Sequence, residues 1–234
     1  MTRVAIMQPT YLPWSGYFGL MQSVDVFVLL DSVQFARRSW QQRNQIKTAD
    51  GAQWLSVPVQ SKGKRYQLIG EVELDKSSGF AATHRCSIEM SYAKTPHFNQ
   101  YAETLLPLLD NESPLLADLT MGLILQLKGQ LGITTRVLRS SELDGSGAKA
   151  ELLASLCKQL GATTYVSPPS SKDYLDESDS FNVLGVQVQY FEFKHPEYAQ
   201  PFGEFLPYMS IIDMLFNCGD YSLALIRGAS EVLQ

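Results

Sequence analysis

Two short stretches of this 234-residue chain concentrate the groups that could do chemistry. The first is Gln8-Pro9-Thr10-Tyr11-Leu12-Pro13-Trp14-Ser15-Gly16-Tyr17-Phe18, where two prolines and a glycine restrict the backbone. Four aromatics, Tyr11, Trp14, Tyr17 and Phe18, fall within eight positions of it. An aromatic loop running into a helix can stack a flat ring and offer backbone N–H groups to an anion. The same composition also makes a plain aromatic lid over a sheet edge. The second stretch is Arg37-Arg38-Ser39-Trp40-Gln41-Gln42-Arg43-Asn44-Gln45-Ile46-Lys47, with four cations and five side-chain amides or hydroxyls in a chain of formal net charge −5. A guanidinium fork suits phosphate or carboxylate. Arg38, Arg43, Asn44 and Lys47 are therefore candidate ligand contacts, set against the alternative of a solvated face. On a strand, Arg43, Gln45 and Lys47 would share one side and Asn44 and Ile46 the other.

Three histidines, His84, His97 and His195, show no metal-ligand spacing, and no cysteine pair joins them. No metal is expected, and no motif names a cofactor. His195 follows an apolar stretch ending at Phe193, so it reads as an imidazole at a strand's carboxyl end, a good place for a general base near neutral pH. His84 lies on an expected helix and is a second candidate, and a satisfied structural histidine is the competing role for each. Asp31 closes an apolar stretch and is the carboxylate of the set. Lys172, Asp173 and Tyr174 follow another strand pattern, where they could meet a charged substrate or form a surface pair of little energetic weight. Ser210, three residues before Asp213, has the spacing of a helix cap. There is no G-x-S-x-G, no G-x-x-x-x-G-K-[ST] and no G-x-G-x-x-G.

These groups need a scaffold. Val4-Ala-Ile-Met7 and Val26-Phe-Val-Leu-Leu30 are apolar without alternation, as in strands covered on both faces. With a helix over Gly16–Ser23 between them they form a βαβ unit, and ligands of such sheets gather beyond the strands' carboxyl ends. Shorter strands are expected over 40–47, 53–59 and 70–74, then helices over 80–92, 98–109 and 114–131, the last capped by Ser113. Strands over 133–138, 163–166 and 186–193 follow, with a helix over 147–160. Two helices, 210–217 and 221–233, end the chain. The expectation is one α/β domain over 1–234, a mainly parallel sheet flanked by helices, with 40–75 as a small antiparallel β excursion.

Composition excludes several classes. At 45% hydrophobic and 18% charged residues the chain is globular and long enough to fold without disulfides. The acidic balance argues against a general nucleic-acid binder. Three unpaired-looking cysteines, no apolar leader and no run of 18 apolar residues point to a reducing, cytoplasmic setting without an integral membrane segment. No motif specifies an oligomeric state.

At these motifs the sequence resembles the bacterial WbqC-like protein family. The resemblance rests on Gln8 to Phe18, Asp25 to Asp31 with Val33-Gln34-Phe35, Ser39-Trp40-Gln-Gln-Arg43-Asn44 and Ser91-Tyr92-Ala-Lys94-Thr-Pro96. It continues through Lys172 to Leu175, His195-Pro196-Glu-Tyr198-Ala-Gln200 and Ser210 to Asn217. Members sit beside genes for surface-polysaccharide and other glycan biosynthesis. That implies a transferase acting on a nucleotide-activated amino sugar, as in O-antigen assembly, by acyl or aminoacyl transfer. A second, fold-level similarity is to pantothenate synthetase and related nucleotidyltransferases, which implies a Rossmann-like (HUP-like) topology. Where those enzymes carry H-x-G-H, this chain has Pro13-Trp14-Ser15-Gly16, without either histidine. The implied substrate is a small molecule, phosphorylated or nucleotide-linked. Arg43 and Lys47 would hold its phosphate or carboxylate, Trp14 or Tyr17 would stack its ring, and His195 would act as base. The alternatives are a nucleotidyltransferase-like enzyme using ATP or CTP with Mg²⁺, and a non-catalytic binding or assembly protein.

Overall fold

Val4, Ala5 and Ile6 follow one another without a polar residue, and all three are buried. Their segment, Arg3–Met7 (β1), lies in the middle of a six-stranded sheet in the computed structural model, which describes residues 1–110 and 112–233. The chain continues through Ser15–Gln22 (α1), Val26–Leu29 (β2) and the hairpin Arg43–Thr48 (β3) and Gly51–Ser56 (β4). Phe80–Tyr92 (α2), Phe98–Leu105 (α3), Leu116–Gln130 (α4), Arg136–Arg139 (β5) and Ala150–Gln159 (α5) follow. After Thr164–Ser167 (β6) come two short helices, Lys172–Asp176 (α6) and Ser180–Val183 (α7), and then Gln187–Phe193 (β7). Ile211–Cys218 (α8), Ser222–Ala229 (α9) and Ser230–Leu233 (β8) complete the order.

The sheet runs β5-β2-β1-β6-β7-β8, parallel throughout except for β8, and helices cover both faces. This is the α/β architecture expected from the apolar runs. The two-residue period of a strand explains them. Ala5, Phe27 and Leu29 join one core with Phe18 of α1, Ile124 of α4 and Phe216 of α8. Val4, Ile6, Val26 and Val28 join a second with Leu153 and Cys157 of α5 and Phe181 of α7. From β1 the chain goes to β2 and β5 on one side and returns to β6 on the other. The crevice beyond the carboxyl ends of β1 and β6 is thus the switch point where open α/β sheets bind ligands. Among the described residues no helix is long and apolar enough to cross a membrane.

The β3–β4 hairpin stands apart as a two-stranded antiparallel sheet, turning through Ala49 and Asp50 onto Gly51 at φ +99°, a conformation that glycine adopts without strain. Three expectations change. The stretch 70–74 forms a short 3₁₀ turn, Ile69–Glu71, and isolated bridges instead of a strand, because each of its pairings is a single contact with a different segment. The last helix stops at Ala229, and Ser230–Leu233 pairs antiparallel with Tyr190–Phe193. The backbone polar groups on that side of β7 supply hydrogen bonds that another helical turn would not. Helix α4 begins at Leu116 with Leu115 as its cap residue, while Ser113 accepts from Leu115 N–H and donates to Asp118.

Asp31 ties the β2 end of the sheet together. Its carboxylate, 1% exposed, accepts from Ser140 Oγ (3.0 Å), Ser141 N (2.9 Å), Ser141 Oγ (2.8 Å) and Arg139 Nε (3.2 Å). Arg139 also reaches Asp118 of α4 at 3.0 Å. Removing the carboxylate takes the acceptor from four donors at once, one of them on buried Ser140. Asp31→Ala is expected to lower the unfolding free energy by about 3 kcal/mol. Urea denaturation checks this, and a loss below about 1 kcal/mol would show that the clasp is not structural.

Candidate functional site

Three adjoining cavities of about 340, 430 and 450 Å³ cross the carboxyl ends of β2, β1, β6 and β7. The first two share Met7 and Pro168, and the second and third share Gln8, Leu30, Leu153 and Tyr174. Together they make one groove over the switch point. Its first compartment is aromatic, walled by Trp14, Tyr17, Phe191, Phe193 and Tyr208. Its second mixes amides and hydroxyls, including Gln8, Gln41 and Ser170, with apolar Ile6, Met7, Leu30 and Leu153.

Trp14 governs the aromatic end. It precedes α1, and its ring lies so close over Gly16 that a Cβ there would stand 2.2 Å from it. The indole meets Phe193 edge-on at 5.3 Å, tilts against Tyr208 at 5.5 Å and is near-parallel to the His195 imidazole at 6.2 Å. His195 is also boxed by Tyr198, Phe205 and Tyr208. Its Nδ1 lies 3.0 Å from Pro196 O, an acceptor only, so the hydrogen bond requires the proton on Nδ1 and leaves the lone pair on Nε2. Nε2 is 3.4 Å from Ser15 Oγ, near the limit for a hydrogen bond. Burial lowers the pKa of His195, opposed by the Pro196 contact, so the ring is a neutral base at pH 7.

His195 is delivered by a strap, residues 194–209, that has neither helix nor strand. Buried Asp213 of α8 anchors it, accepting from Tyr198 Oη (2.9 Å), Gln200 Nε2 (2.8 Å) and, from α2, Tyr92 Oη (2.8 Å). Gln200 also binds both backbone groups of Leu206. On the hairpin, Lys47 is only 1% exposed, against the alternation expected for β3. The strap covers that face, and the ammonium donates to the carbonyl of Glu204.

The remaining predicted residues are dispersed. Gln8 and Tyr174 line the groove, and Lys172 and Asp173 stand exposed beside it, with the Lys172 ammonium 5.7 Å from the Tyr190 ring. Tyr17 is buried in its wall, its hydroxyl donating to Gln8 O at 3.3 Å. Tyr11 and His84 lie deeper and pair with each other, Oη to Nδ1, at 2.8 Å. Asn44 donates to Leu12 O at 2.7 Å, holding a turn where Leu12 has φ +44°. The Arg43 guanidinium rests 4.3 Å from the Trp54 ring centroid, with a buried Nε that has no partner. Arg38 is exposed at φ +58°, and Asp31 serves the clasp described above. Among the described residues no three His, Cys, Asp or Glu side chains group where they could hold a metal ion.

Gln41, Ser15, Trp54 and Tyr208 were not singled out by sequence. Gln41 carries the one usable signal, since its place in Ser39-Trp40-Gln-Gln put it beside the cations. In the fold it is 2% exposed, donates to Gln8 Oε1 at 2.8 Å and accepts from Ala36 N at 2.9 Å.

Burial lowers His84 from 6.5 to about 4, opposed by a backbone hydrogen bond at Ser56. The unfolded chain therefore takes up this proton first. Its contribution to stability is intact above about pH 6.5 and drains away as pH falls toward 4. Between pH 7.5 and 5 the histidine should account for about 2 kcal/mol of lost unfolding free energy. Urea titrations at both pH values should show that part missing in His84→Gln. An equal loss in both proteins would exclude His84 as its source.

The model of the WbqC-like protein family matches residues 8–224. A Mycobacterium tuberculosis (strain ATCC 25618 / H37Rv) protein, described as uncharacterized protein Rv1507c, is 40% identical over 221 residues, covering 94% of this chain and 95% of that one. No solved structure matches the chain. With residues 8–224 containing both the aromatic loop and the strap, the chain belongs to the WbqC-like protein family.

Proposed function

We propose that the protein is a transferase that passes an acyl or aminoacyl group to the amine of a nucleotide-activated amino sugar. The observation that carries this is the position of His195: a neutral imidazole, its Nδ1 tied back to Pro196 O, beside an aromatic compartment at the sheet's carboxyl edge. In this reading the aromatic compartment walled by Trp14, Phe193 and Tyr208 takes the base, and exposed Lys172 and Lys194, the latter 3.7 Å from Glu231, face the diphosphate. His195 Nε2 takes the proton that the acceptor amine loses as its nitrogen bonds to the acyl carbon and the donor's leaving group departs. The lowered pKa suits this step, because an imidazole already neutral at pH 7 can accept a proton without first losing one.

Two measurements test the reading. A UDP- or dTDP-linked amino sugar at about a hundred times its Kd should raise the melting temperature by about 5–10 °C. A response to ATP or CTP with Mg²⁺ and none to the nucleotide sugars would overturn it in favour of nucleotidyl transfer. With the acceptor in hand, His195→Ala should lower kcat by about 10²–10⁴-fold while the melting temperature holds. The acidic limb of the wild-type rate profile should lie below the ordinary imidazole range, because the active form is the deprotonated one and its pKa is depressed. A limb at or above that range would remove His195 as the base.

A further inference from the structure

The second compartment of the groove has no role in the chemistry above, and its lining is unusual for a protein of net charge −5. Of its polar side chains, Gln8, Thr10, Ser39, Gln41, Ser170 and Ser171 are amides or hydroxyls, and no Asp, Glu, Lys or Arg lines its about 430 Å³. The amide orientations are set. Gln41 spends its Nε2 on Gln8 Oε1, which leaves the Gln8 Nε2 donors for something else. Trp40 forms one wall and is 49% exposed; Trp54, 41% exposed, adjoins it with ring centroids 5.3 Å apart at 43°. The backbone of the first and the ring of the second are held. The Trp40 carbonyl accepts from Tyr11 N at 2.9 Å, and the Arg43 guanidinium covers one side of the Trp54 ring.

We propose that this compartment and the tryptophan pair form a saccharide subsite that takes an uncharged pyranose. A phosphate or carboxylate placed in the compartment would lose its hydration without a counter-charge in the lining, since the Arg43 guanidinium lies outside it on Trp54. A purely apolar ligand would strand the amides and hydroxyls. A pyranose carries both surfaces needed: an apolar C–H face to lie on exposed indole, and a rim of hydroxyls that donate to and accept from neutral polar groups. The proposal goes beyond the nucleotide-sugar reading, whose acceptor amine must stand at His195: this compartment takes a further sugar residue, not the one whose amine reacts.

Saturation-transfer difference NMR on the full chain tests it, with methyl α-D-glucopyranoside, methyl α-D-galactopyranoside and glucose 6-phosphate as millimolar probes. Transfer to the C–H protons of a neutral glycoside is expected, with a weaker response from glucose 6-phosphate. Trp40→Ala should cut the signal by about fivefold or more. Trp54→Ala, a change at a side chain outside the core, should reduce it with an unaltered melting temperature. No transfer to either glycoside, stronger transfer to the phosphate, or an undiminished signal in Trp40→Ala would overturn the proposal. So would a dimer on size exclusion that Trp54→Ala dissociates, since the pair would then be covered by a second copy. Glycoside transfer without any thermal response to nucleotide sugars would uphold this subsite and remove the nucleotide reading. The opposite pattern would do the reverse.

Discussion

A carboxylate taken out of water loses several kcal/mol of hydration unless donors and an opposite charge replace it, and Asp213 has both. Tyr92, Tyr198 and Gln200 donate to it, and the charge of Lys47 favours its ionised form, yet burial still leaves its pKa raised. The cluster is therefore not a source of stability in itself. It supplies connection: β3 through Lys47, α2 through Tyr92, the strap through Tyr198 and Gln200, and α8 through Asp213. Apolar side chains could fill the same volume without dictating where an irregular segment should lie. The strap needs such dictation, since Phe202 and Tyr208 hold φ of +64° and +62°, conformations that cost energy for residues with a Cβ. The position of His195 at the head of α1 follows from that anchoring.

The start of α8 is fixed from two further directions. Ser210 N donates to Gln45 O on the hairpin, and Ile211 N donates to Pro13 O in the aromatic loop, both at 2.8 Å. Ser210 caps the helix, its hydroxyl accepting from Ile212 N, while Asp213 turns away to its buried partners instead of completing a capping box. Hairpin, loop and helix thus hold Trp14 between them. Such a wall does not have to be ordered when a ligand arrives, which spares part of the entropy of binding.

The sheet was legible because its chemistry is local. A strand buried on both faces must be apolar along its length, and Val4 to Met7 and Val26 to Leu30 announce this. β8 was not, because Ser230 to Leu233 has no such pattern, and only the edge of β7 makes a strand of it. The site divides the same way. Trp14 and His195 can be placed next to the sheet's carboxyl edge from sequence because ring and imidazole sit at the ends of recognisable elements. Lys47 and Asn44 were read as ligand contacts from residue type, whereas the fold commits their polar atoms to Glu204 and Leu12. Whether a polar side chain is already committed depends on segments distant in sequence, so composition alone could not tell the neutral compartment from the cationic stretch beside it.

The head of α1 is where the expected similarity to a turn of nucleotidyltransferases meets this fold. In their H-x-G-H turn, two imidazoles at the helix start hold nucleotide phosphates. Here that stretch is Pro13-Trp14-Ser15-Gly16, and the indole lies over the glycine. An imidazole does reach this turn, from 180 residues away, near-parallel to Trp14 and facing Ser15. Its electrostatics follow from its surroundings. A cationic ring would add charge to its hydrogen bond with an anion, and burial in the aromatic box around His195 disfavours that form. The ring so placed is suited to accepting a proton, and as a neutral group it brings no charge to a phosphate.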